Sequence, residues 1–167
     1  MVNKSKNLGT RAETAVVRAA RTRGFSLADR LTLTGALDRG DVGLCPGVIV
    51  EVKGGNTART ASDVLIDSWL RETERERDNA GARWAFLVVQ RGGVGPANAH
   101  RWWAWWRFGW LFGGATDSTT YRTPIRMQFG DALHLLRDAG YGEPNEANTG
   151  NERPNVSGDV RVQGATR

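Results

Sequence analysis

One stretch of the chain, WAFLVVQ at residues 84–90, is almost continuously apolar. A strand with apolar side chains on both faces needs a layer of structure above and below its sheet, and helices supply those layers in α/β folds. Helical patterns occur on either side of this strand, at residues 10–24, 62–79 and 132–139. The sequence therefore predicts an α/β domain with a mixed central β-sheet flanked by helices.

The remaining elements follow from local patterns. Thr10 and Glu13 match the S/T-x-x-E capping box, which predicts that the first helix begins at Thr10 and ends at Gly24. Leu31 and Leu33 alternate with threonines, as in a strand. In the second helix the predicted apolar stripe is Val64, Leu65 and Trp69, and the charged run RETERERD is predicted to be a solvated face. A hairpin is predicted at residues 41–53 and further strands at 100–108 and 125–129, so the expected order is α-β-β-β-α-β-β-β-α.

Charge and composition narrow the range of expected binding partners. The net charge is +5, and the first 30 residues carry this excess. Such a balance favours an anionic partner, most often nucleic acid, although a solvated basic helix is the alternative. The sequence has no apolar stretch typical of a signal peptide or membrane span, so we expect a soluble, cytoplasmic protein with no membrane partner. Cys45 is the only cysteine and the two histidines lie far apart, which disfavours a zinc site or a Ser-His-Asp triad.

Domain organisation is simple. Residues 1–140 are predicted to form one domain, and residues 141–167, rich in Gly, Asn, Glu, Pro and Ser, a disordered C-terminal tail.

The predicted hairpin, RGDVGLCPGVIVEVKGG, carries charged residues on a strand that is otherwise apolar. If Cys45-Pro46-Gly47 is a three-residue loop, Asp41 lies opposite Glu51, and Lys53 shares their face. A two-residue loop would shift the register and place Asp41 on the other face. Neighbouring carboxylates repel unless a cation such as Mg²⁺ lies between them, and Mg²⁺ with a lysine is typical of phosphodiester hydrolysis. The alternative is a salt bridge of Lys53 on an edge strand.

These residues and their order resemble the PD-(D/E)xK nuclease superfamily, and within it Holliday junction resolvases of the archaeal and phage type. The resemblance rests on a first helix containing GTRAE at residues 9–13, the strand RGD at 39–41, the strand EVK at 51–53, a helix, and the apolar strand at 84–90. It covers residues 7–95 well. Gly40 stands where the superfamily has a proline, and Glu72 stands where relatives often have a glutamine.

The resemblance implies a restriction-endonuclease-like core and a set of roles. Asp41 and Glu51 would be metal ligands with the Val52 carbonyl as a third, Lys53 would be the catalytic lysine, and Glu13 would reach the metal shell. Glu13 is explained equally well by the capping box. The implied cofactor is Mg²⁺, for which Mn²⁺ can substitute, and the location is the cytoplasm, or the host cytoplasm if a phage encodes the protein.

Substrate and partner predictions follow from the same resemblance. We expect a homodimer that cuts branched or double-stranded DNA, with DNA contacts from Lys6, Arg11, Arg39 and Arg91. The tryptophans of residues 102–106 are interpreted as core packing, with stacking on unpaired bases as the alternative. Phe108, Trp110 and Phe112 are candidates for a dimer face. The alternative functions are another structure-selective or restriction-like nuclease, and a non-catalytic DNA-binding protein.

Overall fold

The computed structural model describes residues 4–32, 38–109 and 122–144, with side chains from residue 7 onward. The helices are α1 (Lys4–Arg21), α2 (Gly55–Arg59), α3 (Asp63–Ala80), a 3-10 helix (Pro96–Arg101) and α4 (Phe129–Asp138). The strands are β1 (Asp29–Arg30), β2 (Val42–Cys45), β3 (Val48–Lys53), β4 (Trp84–Val89), β5 (Trp103–Arg107) and β6 (Pro124–Gln128). The predicted α/β class and order are confirmed for this part of the chain, with α2 and the 3-10 helix as additions.

The sheet is mixed, and its strands lie side by side in chain order from β1 to β6. Only β3 and β4 are parallel among the described strand pairs, while the other neighbours are antiparallel. A parallel pair needs a crossover connection, which α2 and α3 provide here. Both β3 and β4 are interior strands, which agrees with their apolar sequences.

Two apolar layers cover the sheet. The larger core joins α1 and α4 to one face and includes Val16, Val50, Phe86, Trp106 and Leu133. The smaller core joins α2 and α3 to the other face through Ala58, Ile66, Leu70, Leu87 and Val89. Because neighbouring residues of a strand point to opposite faces, Val50 and Val52 face α1, whereas Glu51 and Lys53 face the α3 side.

The helix starting at Thr10 is a wrong prediction, because α1 begins six residues earlier, at Lys4. Thr10 lies inside the helix, where its carbonyl accepts a hydrogen bond from the Thr14 hydroxyl at 2.7 Å. Leu8, in the turn before Thr10, packs against the turn that follows β3, since a Cβ on Gly54 would lie 3.5 Å from Leu8 O and a Cβ on Gly55 would lie 3.8 Å from Leu8 Cδ1. This tertiary contact extends the helix beyond the local capping signal.

The apolar stripe predicted for α3 is also partly wrong. Val64 is 81% exposed, and the buried positions are instead Ile66, Leu70, Thr73 and Glu76. The helix bounds agree with prediction, because the Ser62 hydroxyl accepts a hydrogen bond from Leu65 N at 3.3 Å and Gly81 ends the helix in the left-handed region. The charged run is therefore not a uniformly solvated face.

Two further predictions fall partly on residues outside the description. The strand expected around Leu31 and Leu33 is shorter and earlier, since β1 covers only Asp29–Arg30 and residues 33–37 lie outside the description. At the other end, Tyr141 packs edge-on against Trp84 at 6.3 Å, and Glu143 N donates to Gly24 O at 2.8 Å. Residues 145–167 lie outside the described residues, so the disordered tail stays a prediction.

Candidate active site

The β2–β3 hairpin brings Asp41 to Glu51 by a route that the sequence did not reveal. Its loop has two residues, because Cys45 pairs with Val48. An extra residue, Leu44, then sits between the pairs Gly43–Ile49 and Cys45–Val48, which makes a β-bulge. The bulge restores the register expected for a three-residue loop.

Asp41 is fixed against β3 by two hydrogen bonds. Its backbone N–H donates to Val50 O at 3.1 Å, and its carboxylate accepts from Val52 N at 2.9 Å. Asp41 therefore reaches the neighbourhood of Glu51, as predicted, even though the predicted loop length is wrong.

Lys53 lies among carboxyl groups on the α3 side of the sheet. Its Nζ is 2.6 Å from Oε1 of Glu51 and 2.9 Å from Oε2 of Glu72. The ammonium also lies 5.9 Å from the centre of the Trp69 ring. The ion pair considered for an edge strand is present, but β3 is an interior strand, and the pair is half-buried, with the side chains of Lys53 and Glu51 22% and 7% exposed.

Glu76 is the site residue that sequence reasoning missed. It is only 2% exposed, no N–H or hydroxyl group of the described residues donates a hydrogen bond to its carboxylate oxygens, and its hydrogen-bonding neighbour is the carboxyl group of Glu51. One carboxylate oxygen from each of Glu51, Glu72 and Glu76 lies within 4.8 Å of the other two. A spacing of four residues between Glu72 and Glu76 on a helix was the available signal, since it places both on one face opposite Glu51.

Burial shifts the titration of these groups towards higher pH. It raises the pKa of Glu51 to about 10, with Asp41 and Glu76 adding and Lys53 opposing. The pKa of Glu76 is raised to about 7, mainly by burial. The pKa of Asp41 is also raised by burial, against the hydrogen bond from Val52 N.

The pKa of Lys53 is also raised, but by its neighbours and not by burial. Burial alone would lower its pKa, but the contacts with Glu51 and Glu72 outweigh burial and raise it. The lysine is therefore an ammonium at neutral pH, while the carboxyl group of Glu51, with a pKa of about 10, keeps its proton in the absence of another cation.

Glu13 lies at the edge of this cluster. It sits inside α1 and pairs with the Nε of Arg30 at 2.6 Å, so the capping-box explanation of Glu13 is wrong. Its charge contributes to the raised pKa of Asp41. The role that the resemblance implies for Glu13, that of reaching the metal shell, stays a prediction.

The residues predicted to contact DNA come from different segments of the chain. Arg11 is exposed on α1, and Arg39 is exposed next to the Asp41 loop. The guanidinium of Arg91 stacks on the ring of Trp103 at 4.3 Å. The side chain of Lys6 lies outside the described residues.

The aromatic residues serve mainly as packing. Trp102 and Trp106 are fully buried, and Trp106 stacks on Phe86 at 4.3 Å, which confirms the core interpretation for these two. Trp103 and Trp105 are half-buried. Of the candidates for a dimer face, Phe108 is 37% exposed, whereas Trp110 and Phe112 lie outside the described residues.

Comparison with known proteins adds no assignment: no protein-family model, no curated protein and no solved structure matches the chain. Among the described residues, no helix is both long and apolar enough to cross a membrane.

Proposed function

We propose that this protein is a Mg²⁺-dependent DNA endonuclease with a PD-(D/E)xK, restriction-endonuclease-like core, and that it acts as a Holliday junction resolvase. The observation that carries the proposal is the cluster of four carboxyl groups around one lysine, formed by Asp41, Glu51, Glu72, Glu76 and Lys53. A purely structural role is a poor explanation, because an apolar side chain at the position of Glu76 would avoid burying a carboxyl group beside those of Glu51 and Glu72.

A divalent cation fits the donor set. One ammonium does not balance four carboxylates, so the cluster must keep protons or bind a further cation, and carboxylate oxygens are the ligands that hard cations prefer. Asp41, Glu51 and the Val52 carbonyl would hold the ion according to the resemblance. Glu72 and Glu76 supply oxygens on the other side of Glu51.

The spacing of those oxygens bears on the choice of ion. Ligands on opposite sides of Mg²⁺ lie about 4.2 Å apart, and those around Ca²⁺ about 4.6–5.2 Å. With one oxygen of each residue within 4.8 Å of the other two, the Glu51–Glu72–Glu76 set can share one cation of either size after the side chains close on it.

The chemistry divides between the ion and the chain. Bound Mg²⁺ supplies an activated water and neutralises charge on the phosphate. Lys53 is in place to donate hydrogen bonds to the developing negative charge, because its ammonium stays protonated. The hydrogen bond from Val52 N holds the Asp41 carboxylate in one orientation.

The fold supports the same proposal. A hairpin carrying the acidic residues leads into a parallel β3–β4 pair, with α1 and α3 on opposite faces of the sheet. The order of these elements along the chain is the one on which the resemblance rests. A homodimer would allow two symmetric cuts in a junction, and it stays a prediction.

A gel assay with a labelled four-way junction tests the proposal. We expect paired nicks with Mg²⁺ and none with EDTA. Asp41→Asn can still accept the Val52 hydrogen bond, and Lys53→Met keeps the aliphatic stem against Trp69, so both variants should fold. Cleavage should fall by about 10²–10³-fold in each, as for the removal of other transition-state donors.

Arg83→Ala is the matched control, because Arg83 is exposed at the opposite, amino-terminal end of β4. A junction that is bound but uncut by the wild-type protein at any Mg²⁺ concentration would favour the non-catalytic DNA-binding alternative. Equal cutting of linear duplex would retain the nuclease and reject the resolvase.

A further inference from the structure

A groove of about 710 Å³ lies between α1, α2 and the 3-10 helix. Ala12, Ala15 and Ala19 form the α1 wall, and their small side chains leave the groove open. Four arginines line it: Arg11, Arg18, Arg23 and Arg59. Arg18, Arg23 and Arg59 have no part in the proposed catalytic chemistry.

The groove is strongly cationic. No aspartate or glutamate of the described residues lines it. Arg11 and Arg18 form no ion pair within the described part of the chain, and Arg59 contacts only the neutral side chain of Asn56, at 3.4 Å. Arginines gathered in a concave surface without counter-charge favour the binding of an anion.

The groove begins next to the candidate active site. Gln90, which lines the groove, donates from its backbone N to Lys53 O at 2.9 Å. Its side-chain Oε1 accepts from Gly55 N at 2.9 Å, which fixes the turn after Lys53. The groove and the carboxyl cluster therefore meet at the carboxyl end of β3, on opposite faces of the strand.

The cationic surface continues past this point. Arg59 and Gln90 also line a smaller cavity of about 140 Å³, together with Arg91, Trp103, Arg126 and a single acidic residue, Asp63. The Arg91 and Arg126 guanidinium groups lie 4.3 Å and 4.4 Å from the ring centre of Trp103. A chain of phosphates could thus follow arginines from α1 around the end of β4.

We propose that the groove binds the phosphodiester backbone of one unpaired DNA strand that runs past the active site. The size decides between a strand and a duplex: cavities of about 300–1,000 Å³ enclose drug-sized ligands, which corresponds to about one or two nucleotides. A duplex occupies more volume than the groove provides, so we expect it to bind there less tightly than a single strand. The inference rests on the proposed function and narrows its substrate to branched DNA with unpaired nucleotides beside the cut.

Fluorescence anisotropy in EDTA tests the groove without cleavage. The probes are a labelled oligothymidine strand and a duplex of equal length, and the variants are Arg18→Ala, Arg59→Ala and the control Arg83→Ala. These side chains are exposed, so truncation should leave thermal unfolding unchanged.

We expect each groove variant to weaken binding of the single strand about tenfold, as for other charge-assisted hydrogen bonds. The slope of log K against log salt should fall by about 0.7 for each phosphate that the variant no longer neutralises. The control should change neither. Equal weakening in all three variants would show that the groove is not the binding site. Duplex binding as tight as single-strand binding would show that the groove does not select an unpaired strand.

Failure of this inference is distinct from failure of the proposed function. Cleavage is measured separately with Mg²⁺ on junctions that are fully paired or that carry unpaired nucleotides at the branch. Cutting by Arg18→Ala at the wild-type rate on both junctions would reject the groove and keep the nuclease. Normal binding of the single strand in the groove, with no metal-dependent cutting, would keep the groove and reject the nuclease.

Discussion

Glu76→Gln tests the physical basis of the candidate site. The Glu76 carboxyl group is buried beside that of Glu51, no N–H group of the described residues donates a hydrogen bond to it, and its pKa is raised from 4.5 to about 7. A raised pKa means that the folded state favours the protonated form. The stabilising contribution is then complete below the unfolded pKa, near 4.5, and is lost as the pH rises through about 7.

The magnitude follows from the shift. Each pKa unit corresponds to about 1.4 kcal/mol, so ionised Glu76 costs the metal-free protein about 3 kcal/mol above about pH 8. Glutamine imitates the protonated acid, and its amide can donate to the neighbouring carboxylates. We therefore expect Glu76→Gln to be more stable than the wild-type protein at about pH 8.5 and equally stable at about pH 4.

Urea unfolding in EDTA at several pH values measures this difference, and thermal unfolding should show a shift of roughly 5–10 °C at about pH 8.5. Glu143→Gln is the control, because Glu143 is exposed. Addition of Mn²⁺ should reverse the order, since a cation stabilises the protein that binds it by mass action. A difference between Glu76→Gln and wild type that stays constant across this pH range would refute the reasoning.

Three further predictions concern packing and ion pairs. Gly54→Ala should cost about 1–3 kcal/mol, because its Cβ would lie 2.6 Å from the Cβ of Ala12, and Ala12→Gly in the same chain should recover most of that stability in urea unfolding. Gly40→Ala should lower thermal stability and cleavage together, since φ is 89° at this position; unchanged activity would argue against a required loop geometry. Arg107→Met should cost roughly 2–4 kcal/mol at about pH 7, because it leaves Asp67 and Glu74 without their buried partner. That last cost should shrink at about pH 3, since Arg107 lowers the pKa of Asp67, and a cost independent of pH would point to packing alone.

Several parts of the site could be predicted from short sequence segments. The apolar run before Glu51 marks an interior strand, and period-two alternation places Glu51 and Lys53 on one face. Helix ends with a strong local signal, at Ser62 and Gly81, could also be predicted, because each depends on a single side chain or backbone angle.

Other parts depended on contacts between distant segments. The burial of Glu76 arises from the way in which α3 packs against the sheet. Because its neighbours in sequence are charged, the sequence pattern predicted a solvated position. The prediction for the start of α1 failed for a similar reason, since contact with the turn at Gly54 overrides the local capping signal.

The sequence by itself determined the class of fold, the interior position of the two apolar strands and the placing of one lysine after a buried glutamate. Only the tertiary structure decided how Asp41 reaches that glutamate, because a bulge at Leu44 compensates for a loop one residue shorter than expected. It also decided which helical carboxylates join the cluster and which arginines share a groove. The physical reason is that periodicity specifies the face of an element, whereas the neighbour of that face depends on how separate elements pack.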